Sequence, residues 1–278
     1  MTERQHFEQI IKPKIGLVPI DFKELWLYRE LFAFMTWRDI LVRYKQTAIG
    51  IAWAVIQPVL IMVVFTVIFG KVAKLPSNNV PYPIMTFAAL LPWQFFSTAL
   101  TQGSGSVVRA QNMITKIYFP RLIIPVSSTL SGAVDFAISF IIMIGLMLYY
   151  QVQFRLHLLL VPLFFVIGFA AALGIGLWFA ALNVKYRDVK HVVPFIVRMG
   201  LYVCPVGFVS DVVPDKWRFL YSLNPLVGVI DGFRWSILGD QFEPFWPGFW
   251  VSLIIVSIVL ISGAYFFRFT EKTFADVI

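Results

Sequence analysis

Three histidines, one cysteine and one acid inside a long apolar run are the residues of this chain that could do chemistry. His6, His157 and His191 are scattered and lack the spacing that would place two imidazoles on one metal. Cys204 is alone, so it closes no internal disulfide. The glycine-rich run that starts Gly103-Ser-Gly-Ser has no Lys-Ser or Lys-Thr after it, as a phosphate loop requires. No Ser–His–Asp or Cys–His pairing follows from these positions, so neither catalysis nor a metal is expected. Asp135 is the single deep acid. In an apolar setting it suits either a proton relay or a hydrogen-bonded contact between helices or subunits.

The elements that hold these residues are legible from where charge is missing. Charged residues make up 14% of the 278 positions and hydrophobic ones 59%, against about 25% charged in an ordinary soluble domain. Residues 46–70, 75–108, 156–184 and 244–267 contain no Asp, Glu, Lys or Arg, and 122–154 contain only Asp135. Each is long enough for a span of about 20 residues. Residues 191–210, with Arg198 as their only formal charge, make a sixth and weaker candidate. The expected fold is therefore an all-α integral membrane protein with six transmembrane helices. The net charge of +8 is spread through an apolar chain, which fits a positive-inside bias better than nucleic-acid binding. Seventeen Lys and Arg fall on one side of the six spans and six on the other, which predicts that both termini are cytoplasmic. No cleavable signal peptide is expected in the polar first 23 residues.

Two segments do not fit a plain bundle. Along 34–48, Phe34, Trp37, Ile40, Leu41, Tyr44 and Ala48 recur at helical spacing, with Arg38, Asp39, Arg43, Lys45 and Gln46 on the remaining arc and Met35 and Val42 off the pattern. This predicts an amphipathic helix in the plane of the interface, as an anchor or a docking surface. Between the fifth and sixth spans, the apolar stretch 219–230 holds Asn224, Pro225 and Gly228. It is too short to cross and reads as a re-entrant segment near a pore exit, or as a structured external loop. The 28 Phe, 9 Trp and 10 Tyr also carry two readings. Trp53, Trp93, Trp178, Trp246 and Trp250 suit an interfacial belt, and aromatic faces can also line a channel through which sugars slide.

Several stretches together resemble ABC-type-2 polysaccharide permeases: Trp37-Arg-Asp-Ile-Leu-Val-Arg-Tyr-Lys-Gln-Thr-Ala-Ile-Gly-Ile-Ala-Trp53 with Gln57-Pro58, then Asn183-Val-Lys-Tyr-Arg-Asp-Val189, Leu223-Asn-Pro-Leu226 and Phe274-Ala-Asp-Val-Ile278. The resemblance runs over nearly the whole chain, and the order and spacing of these stretches are what make it specific. It implies the membrane half of an exporter for O-antigen, teichoic acid or capsular polysaccharide in the cytoplasmic (inner) membrane. Two copies would form the channel, and two copies of a separate ATPase, which binds ATP and Mg, would drive it. In the O-antigen and teichoic acid branches the glycan is carried on an undecaprenyl pyrophosphate-type lipid. The resemblance divides the chain into a cytoplasmic segment with the interface helix (1–48), a six-span domain (49–270) and a tail (271–278).

Carried over residue by residue, the ATPase interface would comprise Trp37, Arg38, Asp39, Arg43 and Lys45 on the interface helix. Arg109, Asn112 and Lys116 would lie in a coupling helix, and Lys185, Tyr186, Arg187 and Asp188 in the next cytoplasmic turn. Arg43, Lys45 or Arg187 could instead attract the lipid pyrophosphate. Asn224, Pro225 and Gly228 would belong to short helices gating the exit. Two other classes stand beside this reading: an ion- or proton-coupled transporter using Asp135, for which no matching pair of broken helices is seen, and a membrane-embedded enzyme on a lipid, which lacks an acid–base pair. O-antigen is the cargo expected first, then teichoic acid and capsule.

Overall fold

The computed structural model describes residues 22–45, 52–186 and 188–274, and everything said of the structure concerns these. Arg187 and residues 46–51 lie outside them, as do both chain ends. The described residues are helical, with no strand among them. Two helices, α1 (Phe22–Leu27) and α2 (Arg29–Lys45), precede α3 (Ala52–Phe65), which continues as a π-helical stretch, Thr66–Val72. Then come α4 (Tyr82–Arg109), the single turn α5 (Gln111–Ile114), α6 (Ile123–Leu130) and α7 (Ala133–Tyr149). The remainder are α8 (Val161–Lys185), α9 (Val189–Val203), α10 (Asp215–Tyr221), α11 (Pro225–Leu238) and α12 (Trp246–Thr270).

Five stretches are long and apolar enough to cross a bilayer: Ala52–Val72, Tyr82–Arg109, Ile123–Tyr149, Leu156–Lys185 and Trp246–Thr273. They coincide with the five charge-poor intervals, because a charge left in hydrocarbon costs several kcal/mol and is selected out of a span. The sixth candidate becomes α9, whose 15 residues reach only about 22 Å at 1.5 Å per residue. Pro194 sits inside it, and the chain turns extended at Cys204.

At the centre stands α4. Its most apolar window is 78% buried, and it packs against α3, α6, α7, α8, α9 and α11. Helices gain little hydrophobic drive from one another in lipid, so close backbone approach matters more. The α8–α12 crossing shows this: a Cβ at Gly263 would lie 2.3 Å from the Gly174 carbonyl oxygen, and one at Gly174 2.7 Å from the Leu260 backbone. Beside it Trp178 stacks on Phe266 at 4.1 Å and donates its indole N–H to Ser262 Oγ at 3.2 Å.

Two apolar clusters mark the two ends. One gathers Met35 of α2 with Val107, Ile114, Leu122, Ile124, Ala181 and Phe267, so α2, the end of α4, the start of α6 and the ends of α8 and α12 share one end. The other runs from the middle to the opposite end and includes Phe65, Trp93, Phe164, Val206, Leu226, Phe233 and Phe249. Part of the expected aromatic belt is thus interior. Trp93 is only 4% exposed, because it fills the space above Gly200, where a Cβ would stand 2.6 Å from its ring. Trp53 and Trp250 are exposed.

Candidate functional site

Helix α2 is seated with Thr36, Asp39 and Arg43 among the residues turned inward. Phe32, Met35, Thr36, Asp39, Ile40, Arg43 and Tyr44 are buried or half-buried, whereas Phe34, Trp37, Arg38, Leu41, Val42 and Lys45 are exposed. This is a clean period of three and four, but it is turned relative to the expected apolar face: off-pattern Met35 is the buried residue (1% exposed) and Trp37 is 59% exposed. The reason is polar partnering. The helix packs on α6, whose Ser128 donates its hydroxyl to Asp39 Oδ2 at 2.8 Å, while Asp39 Oδ1 accepts from Arg38 at 2.7 Å. One helical turn on, Arg43 Nη2 pairs with Asp135 Oδ2 at 2.5 Å, and the Tyr44 hydroxyl donates to Asp135 Oδ1. Burial, and then the bond to Asp135, hold the Tyr44 phenol above its usual range.

The two contacts straddle a break in the helical hydrogen-bond ladder. The third candidate span is broken between α6 and α7 at Ser131 and Gly132. There the Gly132 N–H turns to Thr129 O at 3.3 Å, a tighter, three-residue bond. Ser127 and Ser131 bond back to the carbonyls of Ile124 and Ser128 at 2.9 and 2.7 Å. Hydroxyls that bond their own helix's carbonyls in this way bend it. Ser128 lies just before the break and Asp135 just after it.

The remaining residues of the expected platform lie at the same end. Arg109 closes α4 and donates to Gln102 O at 2.6 Å. Asn112 on α5 is exposed, as are Lys116 after it and Asp188 before α9. The Lys185 ammonium sits 5.4 Å from the centre of the Tyr186 ring, which is itself 52% exposed. Arg187 falls outside the described residues. Asn183 donates its side-chain amide to Ser104 O at 3.0 Å and ties the end of α8 to α4. Of the twelve expected interface residues, Asp39 and Arg43 are thus engaged with the membrane helices.

At the opposite end the expected short helices are present as α10 and α11. Asn224 caps α11, its Oδ1 accepting the Leu226 N–H at 3.1 Å, and Pro225 takes the first turn, where its missing N–H costs nothing. A Cβ at Gly228 would meet Ser252 at 2.8 Å, so glycine lets α11 lie against α12. Sequence reasoning missed what lies behind them. Arg234, counted as an external loop cation, is 1% exposed and donates to the carbonyls of Phe208 at 2.8 Å, Val206 at 3.0 Å and, from Nε, Met85 at 3.5 Å. Asp231 lies 3.9 Å from it and accepts from Ser210 Oγ at 2.6 Å. Burial pushes the Asp231 carboxyl up to about 6 against the opposing pull of Arg234. Tyr82 donates to Gly207 O in the same loop. The available signal was Asp-x-x-Arg within an otherwise apolar helix, a spacing that puts both groups on one face.

A helical core with five stretches able to cross a bilayer and α2 clipped onto the third of them defines a multi-pass membrane protein, and comparison identifies the family. Residues 30–238 match the ABC-2 type transporter family, and the chain belongs to it. It is 26% identical over 260 residues to the O-antigen export system permease protein RfbA of Myxococcus xanthus, covering 92% of this chain and 98% of that one. A Klebsiella pneumoniae protein of the same name is 26% identical over 254 residues, 90% of this chain and 95% of that protein. The polysialic acid transport protein KpsM of Escherichia coli is 22% identical over 209 residues, covering 72% and 78%. The chain is a multi-pass membrane transport subunit. In this family ATP hydrolysis belongs to a separate chain.

Proposed function

We propose that this chain is the permease subunit of an ATP-driven exporter that carries a lipid-linked polysaccharide, O-antigen first, across the cytoplasmic membrane. The near full-length match to two O-antigen export permeases carries this reading. The KpsM match keeps the wider polysaccharide class in view, with teichoic acid and capsule as the other cargoes. The 1–48, 49–270 and 271–278 division belongs to the same proposal, as does a homodimer bound to two ATPase subunits that hold ATP and Mg.

In this reading α9 is the short sixth crossing. Helix α8 ends beside α2 and α12 starts beside α11, which supports an odd number of passages between them. Both described termini then lie at one end, which the excess of basic residues makes cytoplasmic. Helices α10 and α11 are the re-entrant exit segment around Asn224, Pro225 and Gly228. The outer face of α2, with Trp37, Arg38 and Lys45, meets the ATPase together with Arg109, Asn112, Lys116, Lys185, Tyr186, Arg187 and Asp188. Asp39 and Arg43 support that helix from behind. A proton-coupled transporter is less well served, because Arg43 and Tyr44 already occupy the acid it would need.

The test is reconstitution. The chain should co-purify with an equimolar ATPase, and inverted vesicles should take up lipid-linked glycan when ATP is added. Uptake driven by a proton gradient without ATP would overturn the reading. Arg38→Glu with Lys45→Glu should release the ATPase while membrane insertion persists.

A further inference from the structure

We infer that Asp135 and Ser128 are positioning residues that receive the movement of α2 on either side of the break in the third span, so that displacement of α2 changes the angle between α6 and α7. The inference rests on the exporter reading above and gives Asp135 a task that neither ATP binding nor cargo contact supplies.

The geometry is specific to such a task. Asp39 and Arg43 are one turn apart, about 6 Å along α2, and Tyr44 adds a second donor to Asp135. Their receivers belong to different helices, Ser128 to α6 and Asp135 to α7. A single contact would let α2 pivot on the span; two contacts across a break make the helix and the angle move together. The break itself is soft, since the Gly132 N–H has left the four-residue ladder for the three-residue bond to Thr129 O, and the Ser131 hydroxyl adds a second acceptor load to the Ser128 carbonyl beside it. The ion pair is neither buried for good nor loose: the Arg43 side chain is 31% exposed and that of Asp135 18%. That intermediate burial suits a joint that must hold through one conformation and re-form in another.

The experiment uses the full transporter, chain and ATPase together, and records complex recovery, ATP turnover and glycan exported per ATP. Asp135→Asn should lower export per ATP by about tenfold, within the range of typical coupling energies, while ATP turnover and complex recovery stay near wild type. The exchange Arg43→Asp with Asp135→Arg should recover most of that loss, because it restores the pair with its polarity reversed. Should Asp135→Asn fail to assemble, Arg43→Gln removes the same pair from its more exposed partner and carries the test. Unchanged export per ATP would overturn the inference. So would loss of the ATPase from the complex, which would make the contact part of docking. A loss that the exchange does not rescue, accompanied by a new dependence on pH, would return Asp135 to proton relay. A wild-type chain that brings no ATPase with it would defeat the exporter reading itself, before any variant is made.

Discussion

The two ends of this molecule each hold an acid and an arginine, and they use the pair in opposite ways. At the α2 end, Arg43 and Asp135 join separate elements 92 positions apart, at 2.5 Å and partly open to water. At the α11 end, Asp231 and Arg234 lie on one helix at 3.9 Å, and the arginine is sealed off. Arg234 directs its donors mainly at carbonyls, fixing a loop and the start of α4 to α11. A partly hydrated pair contributes little net stability and can be remade. A buried one is costly to form and costlier to break, since its survivor is left as an unpaired charge. One end is therefore a joint and the other a fixture.

The comparison can be broken at the fixture first. Arg234→Met should destabilise the chain by about 3–5 kcal/mol by stranding Asp231, read as a fall in detergent-solubilised melting midpoint or outright loss of folded protein. Gly232→Ala comes next, because its Cβ would stand 2.1 Å from the Phe164 ring, and overpacking of that kind costs about 1–3 kcal/mol. At the joint, Ser128→Ala removes one hydrogen bond worth about 0.5–1.5 kcal/mol. It should leave the melting midpoint nearly unchanged while lowering export per ATP less than Asp135→Asn does.

A pH series sharpens the contrast in a different way. Burial pushes the Asp231 carboxyl up to about 6 in the folded chain, above the roughly 3.9 of an unfolded aspartate. The folded state thus binds the proton more tightly, and stability from this group falls as pH rises from about 4 to 6 and is flat above that. Asp231→Asn should remove that slope from the melting curve, whereas Asp135→Asn should leave it in place. If both variants alter it alike, the two pairs do not differ as described.

How far the sequence could be read follows the same division. Five spans were visible as intervals with no charge or, in 122–154, with Asp135 alone, because lipid punishes an unpaired charge wherever it falls. The helical character of α2 was also visible, but its orientation was not. Hydrophobic periodicity assumes that polar residues seek water; Asp39 and Arg43 found Ser128 and Asp135 instead, and only the fold brings those within reach. Arg234 was hidden for a related reason. A count of basic residues treats every arginine as exposed, and no local pattern announces three carbonyls drawn from two distant segments. Trp93 belongs to the interior stretch of α4 and not to a span end, so it never stood at belt depth, and it packs over Gly200 instead. The short helices α10 and α11 were expected from the resemblance alone; what Asn224 and Pro225 add locally is the start of α11, through the cap and the first turn. The ATPase-facing role of the platform rests on resemblance and family, not on any pattern within the residues.

The crossing of Gly174 and Gly263 bears on how any transport cycle could run. With a carbonyl oxygen where a side chain would project, α8 and α12 have no layer of flexible atoms between them to absorb sliding. They must travel as a single rod, with Trp178 and Phe266 as a peg alongside. A displacement that reached this crossing would therefore be passed from α8 to α12 undiminished and would have to be taken up by helices packed through longer side chains.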